Sequence, residues 1–138
     1  MSRIQLALNV ADVEEATAFY TRLLGVPPAK TRPGYANFSV VDPPLKLVLL
    51  EDPTAGGTLN HLGIEVGSVA DVDAARARLT DAGLTGTDEQ GTCCYARQDK
   101  VWVEGAPDGE RWEVYTVLAD SEVFGEPVAQ QPAAAGCC

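Results

Sequence analysis

The chain has 138 residues, of which 46% are hydrophobic and 22% are charged, and its formal net charge is -10. This composition is that of an ordinary globular domain, long enough to bury a core without a structural metal or a disulfide. The acidic balance argues against nucleic acid or an anionic membrane surface as partner, because both are bound through clustered Lys and Arg.

The first predicted strand recurs 56 residues later in the chain. Arg3 to Val10 (RIQLALNV) and Leu59 to Val66 (LNHLGIEV) alternate between apolar and polar positions in the same phase. Gln5 therefore aligns with His61, on the face opposite the apolar residues of each strand. Two side chains able to bind a metal occupy the same place in a duplicated unit.

A helix signature follows each of these strands. Asp12 and Ser68 keep the same offset, and each is followed three residues later by an acid, which is typical of a helix N-cap. Apolar residues then recur at helical spacing until Gly25 in the first half and Gly83 in the second, where a C-terminal cap is expected. The duplication thus covers strand, cap and helix.

Strands are predicted after both helices from alternating and β-branched segments. They are Tyr35 to Val41, Leu45 to Glu51, Thr92 to Arg97, Lys100 to Glu104 and Arg111 to Val117. Each half reads as βαβββ. We expect a single domain over residues 1–119, with module one at 1–52 and module two at 58–119, followed by a mobile low-complexity tail at 120–138.

The four cysteines form two adjacent pairs, Cys93–Cys94 and Cys137–Cys138. No basic-then-apolar leader and no membrane-length apolar run are visible, so we expect a cytoplasmic protein with reduced thiols. Bridging neighbours would close a strained ring, and each pair is interpreted as two thiols presented together. For both thiols to converge at Cys93–Cys94, that segment must be a loop; one buried and one exposed residue on a regular strand is the alternative.

Paired βαβββ modules, a polar residue on the first strand of each, and PDGERWEVY at Pro107 to Tyr115 together resemble the vicinal oxygen chelate superfamily. The resemblance covers roughly residues 1–118. It implies an α+β fold in which the two modules form a half-open barrel enclosing a cup. It also implies a metal held by Gln5, His61 and Glu113.

The strand phase independently places Glu113 on one face with Arg111 and Tyr115. Glyoxalase-type members have a fourth ligand on the last strand of module one, where this chain offers only apolar groups and Lys46. A three-ligand site with open positions suits non-haem iron(II), and an amide ligand weakens the case for zinc without excluding manganese. Structural roles stay open: a solvated Gln5, and a Glu113 paired with Arg111 or Lys100.

The segment TCCYARQDKVWV (Thr92 to Val103) closely resembles the carbon–arsenic lyases of the superfamily, and more loosely its cadmium-induced proteins. The resemblance implies cleavage of trivalent organoarsenicals, such as methylarsenite or aromatic arsenicals, to arsenite with iron(II) and dioxygen. It implies substrate binding by Cys93 and Cys94. A Gln-Asp-Lys turn is expected to follow them in the sequence. Candidate pocket residues are Tyr35, Tyr95, Lys100 and Tyr115, and candidate accessory arsenic ligands are Cys137 and Cys138.

Two thiolates suit this chemistry, because trivalent arsenic is soft and a mono-organic arsenite has two exchangeable oxygens. One alternative is a non-catalytic protein that binds cadmium or arsenite through the same thiols. A second is an extradiol-type dioxygenase, which is disfavoured because His61 is the only histidine and no second one can act as acid or base. Both a monomer and a homodimer are compatible with the two modules.

Overall fold

The computed structural model describes residues 2–84 and 86–125 of the chain. Its elements repeat the order βαβββ, which confirms the predicted α+β class. They are β1 (Arg3–Val10), α1 (Val13–Leu24), β2 (Lys30–Arg32), β3 (Tyr35–Val40), β4 (Leu45–Glu51), β5 (Thr58–Glu65), α2 (Val69–Asp81), β6 (Gly86–Cys93), β7 (Ala96–Val103) and β8 (Trp112–Asp120). The chain divides into two compact units, an N-terminal unit at Ser2–Ile64 and a C-terminal unit that starts at Glu65.

In the N-terminal unit the strands lie in the order β2-β3-β4-β1-β5, with β1 parallel to β4. One sheet face packs against α1 around Phe38 and Leu49, both of which are fully buried. Leu6 and Leu8 of β1 pack against this core, whereas Gln5 alternates to the other face. The predicted alternation of the first strand is confirmed.

The helix signals are also confirmed. The Asp12 carboxylate accepts hydrogen bonds from the backbone N–H groups of Glu14 and Glu15, each at 3.0 Å. Ser68 accepts one from the N–H of Asp71 at 3.2 Å. Helix α1 ends at Gly25, whose φ of 71° is the left-handed conformation that glycine adopts without steric cost.

The C-terminal unit is an antiparallel sheet in the order β8-β7-β6, covered by α2. Val72 and Leu79 of α2 are buried, and Arg76 binds Asp88 of β6 and Asp99 of β7. Partial burial acts to lower the pKa of Arg76, but its bonds to the two aspartates outweigh this and raise that pKa above its ordinary value. The guanidinium therefore stays charged and ties helix to sheet.

The two-residue turn between β6 and β7 corrects the prediction for this region. Cys94 and Tyr95 have φ values of 49° and 60°, so both central residues are left-handed, as in a type I′ hairpin. The predicted strand at Thr92 to Arg97 was wrong because it spans this turn. The Gln-Asp-Lys turn was also wrong, since Gln98, Asp99 and Lys100 are buried within β7.

The first residues beyond β8 pack onto this turn. Ser121 N–H donates to the Tyr95 carbonyl at 2.8 Å, Tyr95 N–H donates to the Phe124 carbonyl at 3.3 Å, and the two aromatic rings lie 5.5 Å apart. Residues 121–125, which we assigned to the tail, are therefore part of the packed structure. The remainder of the expected tail, with Cys137 and Cys138, lies outside the described residues. Within the described ranges, no helix is long and apolar enough to cross a membrane.

Candidate functional site

The aligned polar residues of the two repeats meet in the N-terminal unit. Nε2 of Gln5 on β1 lies 3.3 Å from Nε2 of His61 on β5. Their side chains are 2% and 0% exposed. The duplicated strand therefore brings an amide and an imidazole together where water is excluded.

Asn60 contacts one of the two ring nitrogens of His61. Nδ1 of His61 lies 2.7 Å from Oδ1 of Asn60, and an amide oxygen can only accept a hydrogen bond. Nδ1 therefore lies beside an acceptor, and Nε2 faces the Gln5 amide. Rotating that amide by half a turn presents its oxygen in place of its nitrogen.

A second cluster lies in the C-terminal unit, on one face of its sheet. The β7·β8 register pairs Trp102 with Glu113 and Lys100 with Tyr115, so these four side chains point to the same side. Cys93 pairs with Ala96 and belongs to the same face. The predicted phase of Glu113 and Tyr115 is confirmed.

Lys100 joins the members of this cluster. Its Nζ donates to Glu113 Oε2 at 2.8 Å and to Cys93 Sγ at 3.5 Å, and its side chain is 1% exposed. The ammonium also lies 5.2 Å from the ring centre of Trp102 and 5.8 Å from that of Tyr115. A positive charge held here favours ionised carboxylate and thiolate partners.

The sequence left Arg111 and Lys100 as possible ion-pair partners of Glu113. The structure pairs Glu113 with Lys100. Arg111 instead stacks on Trp102, with 4.4 Å between the guanidinium carbon and the ring centre. Arg111 and Trp102 also line a cavity of about 480 Å³ beside this cluster. The wall of the cavity is mostly apolar and includes the loop glycines Gly105 and Gly109.

The adjacent cysteines converge as a loop would allow. Cys93 ends β6 and Cys94 opens the turn, and their sulfur atoms lie 3.9 Å apart. Both cysteine side chains are buried.

The candidate pocket residues are distributed over both units. Tyr115 and Tyr95 belong to the C-terminal unit and are buried there with Lys100. Tyr35 belongs to the N-terminal unit, where its hydroxyl accepts a hydrogen bond from Asn37 at 3.0 Å. The candidate accessory ligands Cys137 and Cys138 lie outside the described residues.

Each unit offers ligand types that divalent metals accept. In the N-terminal unit, His61 offers an imidazole and Gln5 an amide, and in the C-terminal unit Glu113 offers a buried carboxylate. Within residues 2–84 and 86–125, no three His, Cys, Asp or Glu side chains are arranged to hold a metal by themselves.

Two contacts in these clusters were not anticipated from the sequence. Asn60 was not singled out, although it immediately precedes His61 and a short polar side chain there can reach the ring. Lys100 was named as a partner for Glu113, but its contact with Cys93 depends on the β6–β7 register. Neither contact follows from alternation alone.

Comparisons with known proteins give a family and close relatives. The sequence model of the Glyoxalase/Bleomycin resistance protein/Dioxygenase superfamily matches residues 3–114. The cadmium-induced protein CadI of Mycobacterium tuberculosis (strain ATCC 25618 / H37Rv) is 69% identical over 126 residues, which are 91% of this chain and 82% of that protein. A trivalent organoarsenical cleaving enzyme of Thermomonospora curvata is 53% identical, over 91% of this chain and 84% of its own length.

Solved structures share the fold at low sequence identity. The 2,3-dioxygenase LapB from Pseudomonas sp. KL28 has a TM-score of 0.63 and 24% identity, over 91% of this chain and 46% of that one. A glyoxalase/bleomycin resistance protein/dioxygenase superfamily member from Vibrio splendidus 12B01 has a TM-score of 0.55 and 15% identity, over 86% of this chain and all of the other. At these identities the likeness concerns the fold alone.

Proposed function

The chain belongs to the glyoxalase/bleomycin resistance protein/dioxygenase superfamily, and from this we propose that it is a carbon–arsenic lyase. In this proposal it cleaves trivalent organoarsenicals such as methylarsenite to arsenite, using iron(II) and dioxygen, as a cytoplasmic detoxifying enzyme. The relative from Thermomonospora curvata that is 53% identical is named as a trivalent organoarsenical cleaving enzyme, which supports the proposed substrate class.

One observation carries the proposal: a buried lysine contacts both a buried cysteine thiol and a candidate metal ligand. Lys100 lies 3.5 Å from the Cys93 sulfur and 2.8 Å from the Glu113 carboxylate. A thiophilic substrate held at Cys93 would therefore lie close to the group proposed to bind the metal. This proximity is what a reaction between two separately bound partners requires.

The thiols bind the substrate by exchange. Two sulfur–arsenic bonds form at Cys93 and Cys94, the two arsenic–oxygen bonds break, and two waters leave with the thiol protons. The oxidation state of arsenic does not change, and its organic group is retained. Both thiols must be reduced for this step, and Lys100 favours the thiolate of Cys93 that attacks arsenic.

The proposed metal ligands are Gln5, His61 and Glu113, on the positions that the family resemblance implies. These residues would hold iron(II), which would supply the activation of dioxygen. His61 would contribute Nε2, because Nδ1 is engaged with Asn60. Glu113, which forms an ion pair with Lys100, would contribute negative charge to the metal. Lys100 would remain next to Cys93.

Two sets of variants test the assignment of roles. Cys93→Ser with Cys94→Ser should abolish methylarsenite binding and turnover while iron(II) binding is retained. His61→Ala should abolish iron(II) binding while the reduced protein still binds methylarsenite. Turnover retained in either protein would contradict the proposal, and Ser39→Ala, at an exposed strand position, is the matched control that should change neither property.

A second candidate function is non-catalytic binding of a thiophilic metal. The observation that favours it is the adjacent cysteine pair, together with 69% identity to a protein named as cadmium-induced. Cadmium bound at Cys93 and Cys94, with no oxygen-dependent release of arsenite from methylarsenite, would support this function over the lyase.

A further inference from the structure

We propose that Asn60, Asn9 and Thr58 form a hydrogen-bond relay that holds His61 in the tautomer with its proton on Nδ1. Asn60 Nδ2 donates to Asn9 Oδ1 at 3.0 Å, and Asn9 Nδ2 donates to Thr58 Oγ1 at 2.9 Å. The Thr58 hydroxyl donates to the carbonyl of Ala55 at 2.6 Å. The relay therefore runs from a backbone carbonyl near the surface to the buried imidazole.

The backbone carbonyl fixes the direction of every bond in the relay. A carbonyl oxygen can only accept, so the single hydroxyl proton of Thr58 must point to Ala55. Thr58 Oγ1 then accepts from the amide nitrogen of Asn9, which leaves the Asn9 oxygen to accept from Asn60 Nδ2. The Asn60 oxygen is thereby turned to His61, and it requires a proton on Nδ1.

Reversing the relay is unfavourable. If both amides were rotated, Thr58 would have to donate to Asn9, and two oxygen atoms 2.6 Å apart, Thr58 Oγ1 and the Ala55 carbonyl, would have no proton between them. Such a pair loses a hydrogen bond and adds repulsion between lone pairs. The short Thr58–Ala55 contact thus controls an imidazole three links away.

The carbonyl end of the relay is itself held in place. The N–H of Gly57 donates to the backbone carbonyl of Asn9 at 2.9 Å, and the N–H of Thr58 donates to that of Ala55 at 3.1 Å. A Cβ on Gly56 would lie 2.9 Å from that of Ala11, so the turn packs closely on the chain after β1. The turn between β4 and β5 therefore positions the acceptor at which the relay starts.

The relay prepares Nε2 of His61 to bind a metal before any metal arrives. A ligating imidazole needs an unprotonated nitrogen toward the metal, and the group that holds its other N–H commonly changes metal affinity by 10- to 100-fold when removed. This consequence rests on the proposed function, whereas the tautomer does not. Asn60, Asn9 and Thr58 are positioning residues, since they act through His61.

The single histidine makes the tautomer directly measurable. Long-range ¹H–¹⁵N NMR of the metal-free protein, at a pH where the ring is neutral, reports which nitrogen is protonated. The variants are Asn60→Ala and Thr58→Val, with Thr58→Ser to restore the hydroxyl. Thr31→Val, an exposed strand threonine outside the relay, is the matched control.

We expect the Nδ1–H tautomer in the parent protein, in Thr58→Ser and in Thr31→Val, and an increased Nε2–H population in Asn60→Ala and Thr58→Val. Manganese(II) affinity, measured by calorimetry, should fall by about 10- to 100-fold in Asn60→Ala. An Nε2–H parent, or an unchanged tautomer in Asn60→Ala and Thr58→Val with the sheet intact by circular dichroism, would overturn the relay. If the tautomer shifts as expected but the parent binds neither manganese(II) nor iron(II), the relay stands and the metal assignment of the proposed function fails.

Discussion

Lys100 and Glu113 form an ion pair with 2.8 Å between Nζ and Oε2, and both side chains are 1% exposed. Removing two charges from water is costly, so a pair this deeply buried contributes little net stability by itself. We attribute the presence of this ion pair to the other contacts of its two members. Lys100 reaches the thiol of Cys93, and Glu113 is a proposed metal ligand.

Replacing Lys100 by Met should destabilise the metal-free protein by about 3–5 kcal/mol, because the Glu113 carboxylate is left buried without a counter-charge. Urea denaturation measures this loss. Manganese(II) should restore part of the stability, since a metal bound at Glu113 would replace the missing charge.

The matched control for Lys100→Met is the double variant Lys100→Met with Glu113→Leu. With both charges gone, it should be more stable than the single variant and should gain nothing from manganese(II). Equal destabilisation of the single and double variants would show that Lys100 contributes through packing rather than through its charge.

Methylarsenite binding should depend on reduction of the protein. The proposed exchange needs two thiols, and a disulfide sulfur cannot form a bond to arsenic by that exchange. Protein treated with a phosphine reductant and desalted without oxygen should bind one methylarsenite, whereas protein treated with a thiol oxidant should bind it much more weakly. Cys94→Ser should bind weakly after either treatment; equal binding by oxidised and reduced parent protein would contradict the two-thiolate site.

At position 94 we predict that glycine gives a more stable protein than alanine, which is the reverse of the order inside a strand. Because Cys94 has a φ of 49°, any side chain there carries a steric cost of about 1–2 kcal/mol that glycine avoids. Under reducing conditions, Cys94→Gly should be more stable than Cys94→Ala by about 1 kcal/mol in thermal or urea unfolding. At Thr92, inside β6, the order should be opposite; the same order at both positions would contradict the hairpin geometry.

The turn that starts the relay should respond to acid through Asp52. The hydroxyl and the backbone N–H of Thr54 both donate to the Asp52 carboxylate, at 2.7 and 3.0 Å, and they hold the pKa of Asp52 below its ordinary value. The ionised form is favoured by folding, so its contribution is present above the ordinary Asp pKa of about 3.9 and is lost as the pH falls through the lower folded pKa.

Carboxyl-carbon NMR should therefore show a pKa of Asp52 below the ordinary value of about 3.9. Thr54→Val removes the hydroxyl donor and should move the pKa of Asp52 upward. No change in that variant would mean that the hydroxyl does not hold the carboxylate in solution.

The sequence predicted an element of the fold well where its side-chain pattern and its local backbone conformation indicate the same structure. The caps at Asp12 and Gly25 and the alternation of β1 follow from rules that involve only neighbouring residues. The hairpin at Cys94 and Tyr95 did not follow, because neither residue type favours left-handed φ. Strand β6 (GTDEQGTC) was missed in its first part because it is polar and lies at the edge of the sheet.

The contacts of the candidate site were likewise predicted only in part. Pairing Gln5 with His61 followed from the internal repeat, and their contact is confirmed. The roles of Lys100 and Asn60 depend on contacts that no periodicity describes. Lys100 was predicted as a pocket residue and as one of two possible partners of Glu113, and only the register of β7 with β8 shows that it pairs with Glu113.

The most direct test of the lyase is arsenic speciation. Reduced protein is loaded with iron(II) without oxygen, mixed with methylarsenite, and then exposed to a pulse of oxygen. We predict that arsenite is released only when both iron(II) and oxygen are present, and that Cys93→Ser with Cys94→Ser releases none. Methylarsenite that remains bound and unchanged after the oxygen pulse, with iron loading verified, would contradict the lyase.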